Sequence, residues 1–490
     1  MSKIRVLDNV YDLITINMAD RFKDNVAFRF YDTANDAVTT ILYKDYVHDI
    51  RKAVNYFQST IPEVRGKKIC LLTKNSYEYA VNSFGIVAAG AVLVLLNQRK
   101  SWEELQYELE LVEPDAILTD GDDYGFNEQL QAAYGSILRP MDGFRSVEPG
   151  QLTRCIDHEA MMILMFTSGT TGRSKGVMLS EKNFFSVMRA HTQIGEHMME
   201  YRHDPDLVMS QYTVLPMFHL GAFICLFSWA HAGWALNVSS DIRNFYKEMQ
   251  RMPSQAMAVV PVIMNSMHHD VMRGRKDRLG QLWVPICSSA MFDPQVMLDM
   301  ANNGMFVVQT YGSTETCGDG IINYAQDAKH IGAVGQGNDY LEYKLEPDGE
   351  LCMRGDSIML GYYKDPEATA EVIDAEGWFH TGDLARKDED GYYFLIGRKK
   401  NLIILGSGEN ISPEELEAIV GRCEKVKECL VKEMGQKIGA VVYCEETDQQ
   451  AVRDFITEAN RSLPLYKHIS AVEFCTGPLP RNGAGKLVRQ

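Results

Sequence analysis

The sequence lacks an excess of basic residues, closely spaced cysteines and long apolar runs. It has 49 Lys and Arg against 66 Asp and Glu, a formal net charge of −17, which argues against a broad basic surface for DNA, RNA or anionic membrane. None of the ten cysteines forms a CxxC pair, so zinc and thioredoxin-type sites are not indicated, and scattered thiols fit a reducing cytoplasm. The longest apolar stretch, residues 85–96, is too short to cross a bilayer. We therefore expect a soluble, cytoplasmic protein that holds anionic ligands through local donors.

The chain is too long for one hydrophobic core, so two or more domains are expected from its 490 residues. Up to about residue 395, apolar runs of strand length alternate with helical stretches, which predicts a layered α/β architecture. Strands are expected at 68–73, 116–120, 207–215 and 256–262, and a helix is expected at 77–89. Turn signals crowd between residues 355 and 401 and predict a small β unit. After it, Ser412-Pro413-Glu414-Glu415 has the pattern of a capping box that starts a helix. The remaining residues are predicted to form a compact α/β cap.

The most informative stretch is the glycine-rich loop FTSGTTGRSKGV at residues 166–177. Glycine lets consecutive backbone N–H groups point inward, and the hydroxyls and the lysine add donors, so the loop is suited to hold phosphate. It is not a Walker loop, because Gly176 follows Lys175. An apolar run at 161–166 and a helix-forming stretch at 181–190 predict a strand–loop–helix layout, the alternative being a flexible surface connection. The candidate phosphate-binding residues are Thr167, Ser168, Gly169, Thr170, Thr171, Gly172 and Lys175.

Four further segments follow the loop in order: YGSTET at 311–316, GELCMRGDSIMLGYYKDPE at 349–367, GWFHTGDLARKDEDGYYFLIGRKKN at 377–401 and PRNGAGK at 480–486. Together with the loop they resemble the adenylate-forming superfamily, which includes acyl-CoA synthetases, aryl-acid ligases, peptide-synthetase adenylation domains and luciferases. The resemblance covers nearly the whole chain. It implies an α/β fold with a large N-terminal domain at 1–397, built of layered α/β subdomains and a small β-barrel, then a hinge at 398–400 and a small mobile α+β domain at 401–490.

Within that family a carboxylate attacks the α-phosphate of ATP, giving an acyl adenylate and pyrophosphate, and a thiol then takes the acyl group. By resemblance, the loop would hold the β- and γ-phosphates, Thr314 would contact the α-phosphate, and Glu315 would hold Mg²⁺, a hard cation that prefers oxygen ligands. Lys486 would bridge the substrate carboxylate and the α-phosphate, and Lys400 would be the pivot between the half-reactions. The adenosine contacts that the resemblance implies are those of Ser289, Ala290, Tyr311, Gly312, Asp383 and Arg398.

The chain departs from the family pattern at several positions. Ser174 stands where the family commonly has proline, and Ser288 and Ser289 replace a usual pair of glycines. The loop LGSGENI at 405–411 has Ser407 where many thioester-forming members carry a glycine pair. This last variant resembles that of long-chain acyl ligases.

The segment LPMFHL at 215–220 bears on the acid that is activated. It has His219 where peptide-synthetase domains place an aspartate that pairs with the substrate's amino group, so an α-amino acid is disfavoured. His219 joins the candidate catalytic residues as a possible wall of the acyl pocket, with a structural role as the alternative. Fatty, aryl and short acids all stay open, and the other pocket candidates are Gln309, Gly312, Cys317 and Gly318.

We therefore expect an ATP- and Mg²⁺-dependent ligase that joins a carboxylic acid to coenzyme A. One alternative is a stand-alone ligase that loads the phosphopantetheine arm of a carrier protein. A second alternative, of another class, is a non-catalytic nucleotide-binding protein. Replacement of Lys486, Glu315 or Lys175 would favour that reading, and all three residues are present.

Overall fold

The structure is a computed structural model that describes residues 7–32, 35–154, 157–167, 173–204, 206–288, 290–318, 320–404, 410–435, 437–481 and 487. Its contacts divide the chain into two compact units. The first unit comprises Met1–Glu342 and Arg354–Trp378, and the second comprises Tyr343–Met353 and Phe379–Gln490. The hinge expected at 398–400 stays a prediction.

The strands of the described residues are β1 (Val26–Asp32), β2 (Ala37–Leu42), β3 (Lys68–Leu72), β4 (Val92–Leu95), β5 (Ala116–Thr119), β6 (Leu138–Pro140), β7 (Met161–Thr167), β8 (Lys175–Ser180), β9 (Ser210–Thr213), β10 (Ala235–Val238), β11 (Ala256–Val259), β12 (Val284–Cys287), β13 (Val308–Tyr311), β14 (Ile321–Asn323), β15 (Leu341–Leu345), β16 (Glu350–Gly355), β17 (Gly361–Tyr362), β18 (Phe379–Lys387), β19 (Tyr393–Arg398), β20 (Ile403–Ile404), β21 (Asn410–Ile411), β22 (Glu428–Met434), β23 (Lys437–Tyr443) and β24 (Ile469–Cys475).

The α-helices are α1 (Val10–Asp12), α2 (Tyr43–Thr60), α3 (Tyr77–Ala88), α4 (Trp102–Val112), α5 (Asn127–Tyr134), α6 (Glu181–Arg202), α7 (Leu220–Phe223), α8 (Cys225–Ala232), α9 (Phe245–Arg251), α10 (Pro261–Met272), α11 (Pro294–Asn302), α12 (Pro366–Val372), α13 (Pro413–Val420) and α14 (Gln449–Asn460). A π-helical segment, Leu13–Arg21, follows α1. None of the helices that the structure describes is long and apolar enough to cross a membrane.

A seven-stranded sheet in the first unit carries the glycine loop. Its strand order is β17-β8-β7-β4-β3-β5-β6. The strands from β7 to β6 run parallel, whereas β8 and β17 run antiparallel to their neighbours. The parallel strands are nearly continuous apolar runs, as expected where both faces are covered, and Leu93, Val94 and Ile163 are fully buried. The two strands that flank the loop therefore belong to a sheet with a buried core.

An eight-stranded sheet in the same unit has the order β14-β13-β12-β11-β9-β10-β1-β2. Its strands from β13 to β1 run parallel, and the edge strands β14 and β2 are antiparallel. Strands β11, β12 and β13 end at Val259, Cys287 and Tyr311. Ligands of such sheets bind beyond the carboxyl ends of the parallel strands, and the YGSTET segment begins there.

The second unit contains the strands that the sequence assigns to a small β unit and to a C-terminal cap. A four-stranded sheet in the order β15-β16-β18-β19 occupies the region where a small barrel was expected. In the cap, the sheet β22-β23-β24 packs with α13 and α14 around buried residues such as Val431, Ala440 and Val452. The expected α/β class is confirmed.

Two local expectations need correction. The strand expected over 256–262 ends at Val259, because Pro261 is the first residue of α10 and fits the first turn of a helix. Ser412 caps α13 by accepting from the backbone N–H of Glu415 at 3.3 Å, as expected. The Glu415 carboxylate does not complete the capping box, however, because it accepts from Lys467 Nζ at 2.7 Å.

Candidate active site

The glycine loop closes a hairpin between β7 and β8. Thr167 is the last residue of β7 and pairs with Lys175, the first residue of β8. The expected strand–loop–helix layout is wrong, because β8 lies between the loop and α6, which begins at Glu181. A helix N-terminus therefore does not follow the loop directly. The remaining predicted phosphate-binding residues lie outside the described residues: Ser168, Gly169, Thr170, Thr171 and Gly172.

Tyr362 joins the glycine loop to the YGSTET segment. Lys175 Nζ lies 4.8 Å from the centroid of the Tyr362 ring, a cation–π distance. The Tyr362 hydroxyl donates to Glu315 Oε1 at 2.9 Å. Burial, with the Glu315 carboxylate as a lesser cause, raises the pKa of the Tyr362 phenol, so the hydroxyl stays a donor. We call these three residues, Lys175, Glu315 and Tyr362, the Tyr362 cluster.

Strand pairing fixes the Tyr362 cluster. Strand β17 pairs with β8, with Tyr362 opposite Val177, which brings the tyrosine beside the end of the hairpin. The backbone carbonyl of Glu315 accepts from Met359 N at 2.8 Å. Both side chains are thus carried by backbone that is itself hydrogen-bonded.

The YGSTET segment makes a tight turn directly after β13, which ends at Tyr311. The N–H of Gly318 donates to Ser313 O at 2.8 Å and closes the turn. Only glycine fits at position 312, because a Cβ on Gly312 would lie 1.6 Å from Gly318 O. Thr314, half-buried, lies within this turn. The side chains of the turn therefore project from a backbone whose two ends are in close contact.

A buried ion pair adjoins the loop at Ser174. Lys100 Nζ forms a salt bridge with Glu108 Oε1, and the two side chains are 10% and 0% exposed. Lys100 Nζ also donates to Ser174 Oγ at 2.8 Å. Burial raises the pKa of the Glu108 carboxyl, and Lys100 opposes this rise. Ser174, which stands where the family commonly has proline, is thus linked to a buried charge pair.

Asp383 and Arg398 face each other in the second unit. They are Cα partners on the antiparallel ladder of β18 and β19. Arg398 Nε lies 2.7 Å from Asp383 Oδ1, and the Asp383 side chain is 13% exposed. The N–H of Asp383 donates to Thr381 Oγ1 at 3.0 Å. The pair presents an oriented carboxylate, which can accept hydrogen bonds from sugar hydroxyls.

The other predicted site residues are spread over loops. His219 is exposed and immediately precedes α7, and Ala290 is exposed after β12. Lys400 is exposed in a 3₁₀ turn that follows β19 in the second unit. Ser289 and Lys486 lie outside the described residues.

A cavity of about 640 Å³, counting its open mouth, lies between α6, α8 and the eight-stranded sheet. It reaches the ends of β12 and β13 at Ser288 and Thr310. The lining residues are His191, Thr192, Ile194, Gly195, Met198, Gln211, Gly221, Cys225, Ser228, Trp229, Ala232, Trp234, Ala258, Ile286, Ser288 and Thr310. His219 and the other predicted pocket residues are not among them, although Gly221, two residues after His219, and Thr310, next to Gln309, are.

The model of the family described as AMP-binding enzyme matches residues 17–363, more than half of the chain. The chain belongs to the AMP-binding enzyme family. The matched range includes the glycine loop, the YGSTET turn and the Tyr362 cluster. The expected membership of the adenylate-forming superfamily, of acyl-CoA ligase type, is confirmed.

Curated relatives of this AMP-binding enzyme align over most of its length. Crotonobetaine/carnitine–CoA ligase of Shigella flexneri is 26% identical, with 94% of each chain covered. 2-Succinylbenzoate–CoA ligase of Bacillus cereus is 29% identical, with 87% of this chain and 88% of the relative covered.

Solved structures share the fold. The o-succinylbenzoate CoA synthetase of Bacillus subtilis, in complex with its acyl-adenylate intermediate, has a TM-score of 0.81 at 21% identity and 96% coverage of both chains. ATP-bound MatB from Rhodopseudomonas palustris has a TM-score of 0.82 at 23% identity, with 98% of this chain and 96% of that chain covered. At such identities the likeness establishes the fold.

Sequence reasoning missed three residues near the predicted phosphate site. Tyr362 lies within the quoted segment at 349–367, so its neighbourhood was marked although its contacts were not. Lys100 and Glu108 belong to no motif, and only the folded chain brings them to Ser174. A lysine just before a helix and a glutamate within that helix are too common a pattern to have pointed to them.

Proposed function

We propose that this enzyme activates a carboxylic acid with ATP and Mg²⁺ and transfers the acyl group to coenzyme A. The observation that carries the proposal is the Tyr362 cluster. It holds an ammonium at the face of one aromatic ring and a carboxylate at the hydroxyl of the same ring. These are the groups that phosphate and a hard divalent cation require. The names of the relatives, which are CoA ligases, support coenzyme A as the acceptor.

The first half-reaction joins two anions, so the protein must offset charge and align the reactants. Lys175 offsets phosphate charge beside the loop, and Thr314 offers a hydroxyl to the α-phosphate. Glu315, oriented by the Tyr362 hydroxyl, would hold Mg²⁺, which when bound neutralises phosphate charge. A carboxylate oxygen of the acid attacks the α-phosphorus, the bond to the bridging β-oxygen breaks, and pyrophosphate leaves. Lys486 is proposed to stabilise the charge that develops there.

The nucleoside is held by the remaining proposed contacts. Asp383, oriented by Arg398, accepts from the ribose hydroxyls, and Tyr311 stacks on the adenine. In the second half-reaction the thiol, having lost its proton, attacks the acyl carbon and AMP leaves. Lys400 is the proposed pivot between the two steps. A carrier-protein acceptor would present the same thiol arm.

The cavity beside β12 and β13 is the proposed site of the acyl group. It is enclosed by one unit of the chain, and it reaches the strand ends from which Tyr311 and the YGSTET turn continue. The acid's carboxylate would then lie near Thr314, with its hydrocarbon part inside the cavity.

The test is pyrophosphate release from ATP and Mg²⁺ with a panel of fatty, aryl and short acids, each with and without coenzyme A. Release that depends on one acid and rises with coenzyme A supports the proposal. Release that coenzyme A leaves unchanged would favour a carrier-protein acceptor. No release with any acid would overturn the proposal in favour of a non-catalytic nucleotide-binding protein.

Tyr362→Phe tests the cluster itself, with Tyr363→Phe as the matched control. Loss of the hydroxyl leaves Glu315 without its orienting donor, and such losses typically cost about 10–100-fold in metal affinity or activity. We expect the Mg²⁺ concentration for half-maximal release to rise in Tyr362→Phe and to stay unchanged in Tyr363→Phe. Equal Mg²⁺ dependence in both variants would count against Glu315 as the metal ligand.

A further inference from the structure

The wall of the cavity between α6, α8 and the eight-stranded sheet is uncharged apart from one histidine. Among its lining residues, all of which the structure describes, there is no Asp, Glu, Lys or Arg. Trp234 lines it with its ring, since its Nε1–H already donates to Leu207 O at 3.0 Å. Apart from His191, such a wall offers no acidic or basic counter-ion to a second carboxylate or an ammonium group, and burying an unpaired charge is costly.

Gln211 in β9 supplies a hydrogen-bond acceptor to this wall. The residue is 1% exposed, and its Nε2 donates to Cys225 Sγ at 3.1 Å and to Thr213 Oγ1 at 3.4 Å. The Cys225 thiol donates its single hydrogen to Gly221 O at 3.5 Å, so its sulfur accepts from Gln211. The amide thus turns its Nε2 toward Cys225 and Thr213 and its Oε1 away from them. Its Oε1 is buried and has no hydrogen-bond partner among the described residues.

Ser228 in α8 supplies a second polar group. It follows Cys225 by three residues and therefore lies on the same face of the helix. Its Oγ is buried and also lacks a hydrogen-bond partner in the part of the chain that the structure describes. Buried polar groups are normally hydrogen-bonded. Two groups of one cavity wall that lack a protein partner point to a partner in the ligand.

We propose that the acid activated by this enzyme carries an uncharged hydroxyl group on an otherwise apolar frame. This inference rests on the proposed function and adds the class of acid to it. A hydroxyl can donate to Gln211 Oε1, and it can accept from or donate to Ser228 Oγ. An unsubstituted fatty or aryl acid would instead bury both groups against hydrocarbon. Sites built to bond a substrate hydroxyl discriminate strongly against the analogue that lacks it, and we expect at least about a tenfold difference in kcat/KM.

The experiment measures kcat/KM for pyrophosphate release with matched pairs of acids. Each pair differs only by one hydroxyl, moved along a straight chain in one series and around a phenylalkanoic ring in another. A trimethylammonium acid and a dicarboxylic acid of similar size complete the panel. The wild type is compared with Gln211→Met and Ser228→Ala. Thr192→Val is the matched control, because Thr192 lines the same cavity but its hydroxyl donates to Arg189 O at 2.7 Å.

The expected result is a hydroxylated acid preferred at least about tenfold by the wild type and by Thr192→Val. Gln211→Met or Ser228→Ala should bring the ratio of kcat/KM between the hydroxylated and the plain acid close to one, because the reaction of the hydroxylated acid becomes slower. Preference for the plain, trimethylammonium or dicarboxylic acid would overturn the inference while the ligase function stands. A hydroxyl preference that persists in both variants would also overturn it. If no acid releases pyrophosphate, the proposed function itself fails.

Discussion

We predict that Lys100→Met destabilises the protein, and more at pH 8 than at pH 4.5. Lys100 forms a salt bridge with Glu108, whose side chain has 0% exposure. Burial raises the pKa of the Glu108 carboxyl, and the neighbouring Lys100 lowers it. Methionine keeps an apolar stem of similar length but removes the ammonium. The variant therefore loses the main group that offsets burial of the carboxylate.

The size of the expected loss in the free energy of unfolding follows from the burial of the Lys100–Glu108 pair. Removing one partner of a buried ion pair costs about 3–5 kcal/mol. An unfolded glutamate has a pKa of about 4.3, and the folded pKa in the variant lies higher, so folding favours the protonated carboxyl. The stabilisation from the protonated carboxyl is fully present below the unfolded pKa and is lost as the pH rises through the folded pKa. The loss is about 1.4 kcal/mol for each unit by which the folded pKa exceeds the unfolded pKa. The deficit of the variant relative to the wild type therefore grows with pH.

Thermal unfolding midpoints between pH 4.5 and pH 8 measure this deficit. Lys100→Met combined with Glu108→Gln should recover most of the loss, because a neutral pair carries no unpaired charge. Lys44→Met is the control, since the Lys44–Asp24 pair is exposed at 51% and 66% and such pairs contribute little. A deficit that is equal at both ends of the pH range, or a double variant no more stable than Lys100→Met, would refute the reasoning.

Three further predictions concern activity. Lys486→Ala should lower adenylate formation about 10²–10³-fold and spare thioester formation from pre-made acyl adenylate; equal damage to both half-reactions would exclude its assigned role. Lys400→Pro removes backbone freedom and should spare adenylation but slow thiol transfer, so unchanged overall turnover would count against the pivot. Gly312→Ala places a methyl 1.6 Å from Gly318 O and should abolish pyrophosphate release. Its control is Gly477→Ala, whose methyl meets no atom within 4 Å, and equal activity of the two alanine variants would contradict the packing argument.

The pattern of apolar residues within a single segment was enough to predict several strands and helices. The strands expected at 68–73 and 116–120 are Lys68–Leu72 and Ala116–Thr119, and the helix expected at 77–89 is Tyr77–Ala88. Strand β8 was missed because one side of its pairing comes from a distant segment. It pairs with β7 on one side and with residues 361–362 on the other. A short apolar run after a lysine carries no local signal of that pairing.

The candidate site likewise contains some contacts that one motif predicts and others that only the folded chain shows. Asp383 and Arg398 were both named from one motif, and a two-stranded ladder within that motif brings them into contact. Tyr362 meets Glu315 across 47 residues and Lys100 meets Ser174 across 74. No spacing rule reaches such distances, so these contacts needed the folded chain. The cavity was missed for a related reason, because its walls come from α6, β9, α8 and three further strands.

Under the proposed function, the Tyr362 cluster would also explain how a strongly acidic protein prepares a site for a polyanion and a metal ion together. A lysine and a glutamate in direct contact would neutralise each other, and each ligand would first have to break that pair. Here Tyr362 stands between them: its face meets Lys175 at 4.8 Å and its hydroxyl meets Glu315 at 2.9 Å. Within the described residues no salt bridge involves either charged group. Both are therefore oriented by a neutral side chain, which leaves them available for the proposed phosphate and for the proposed cation that accompanies it.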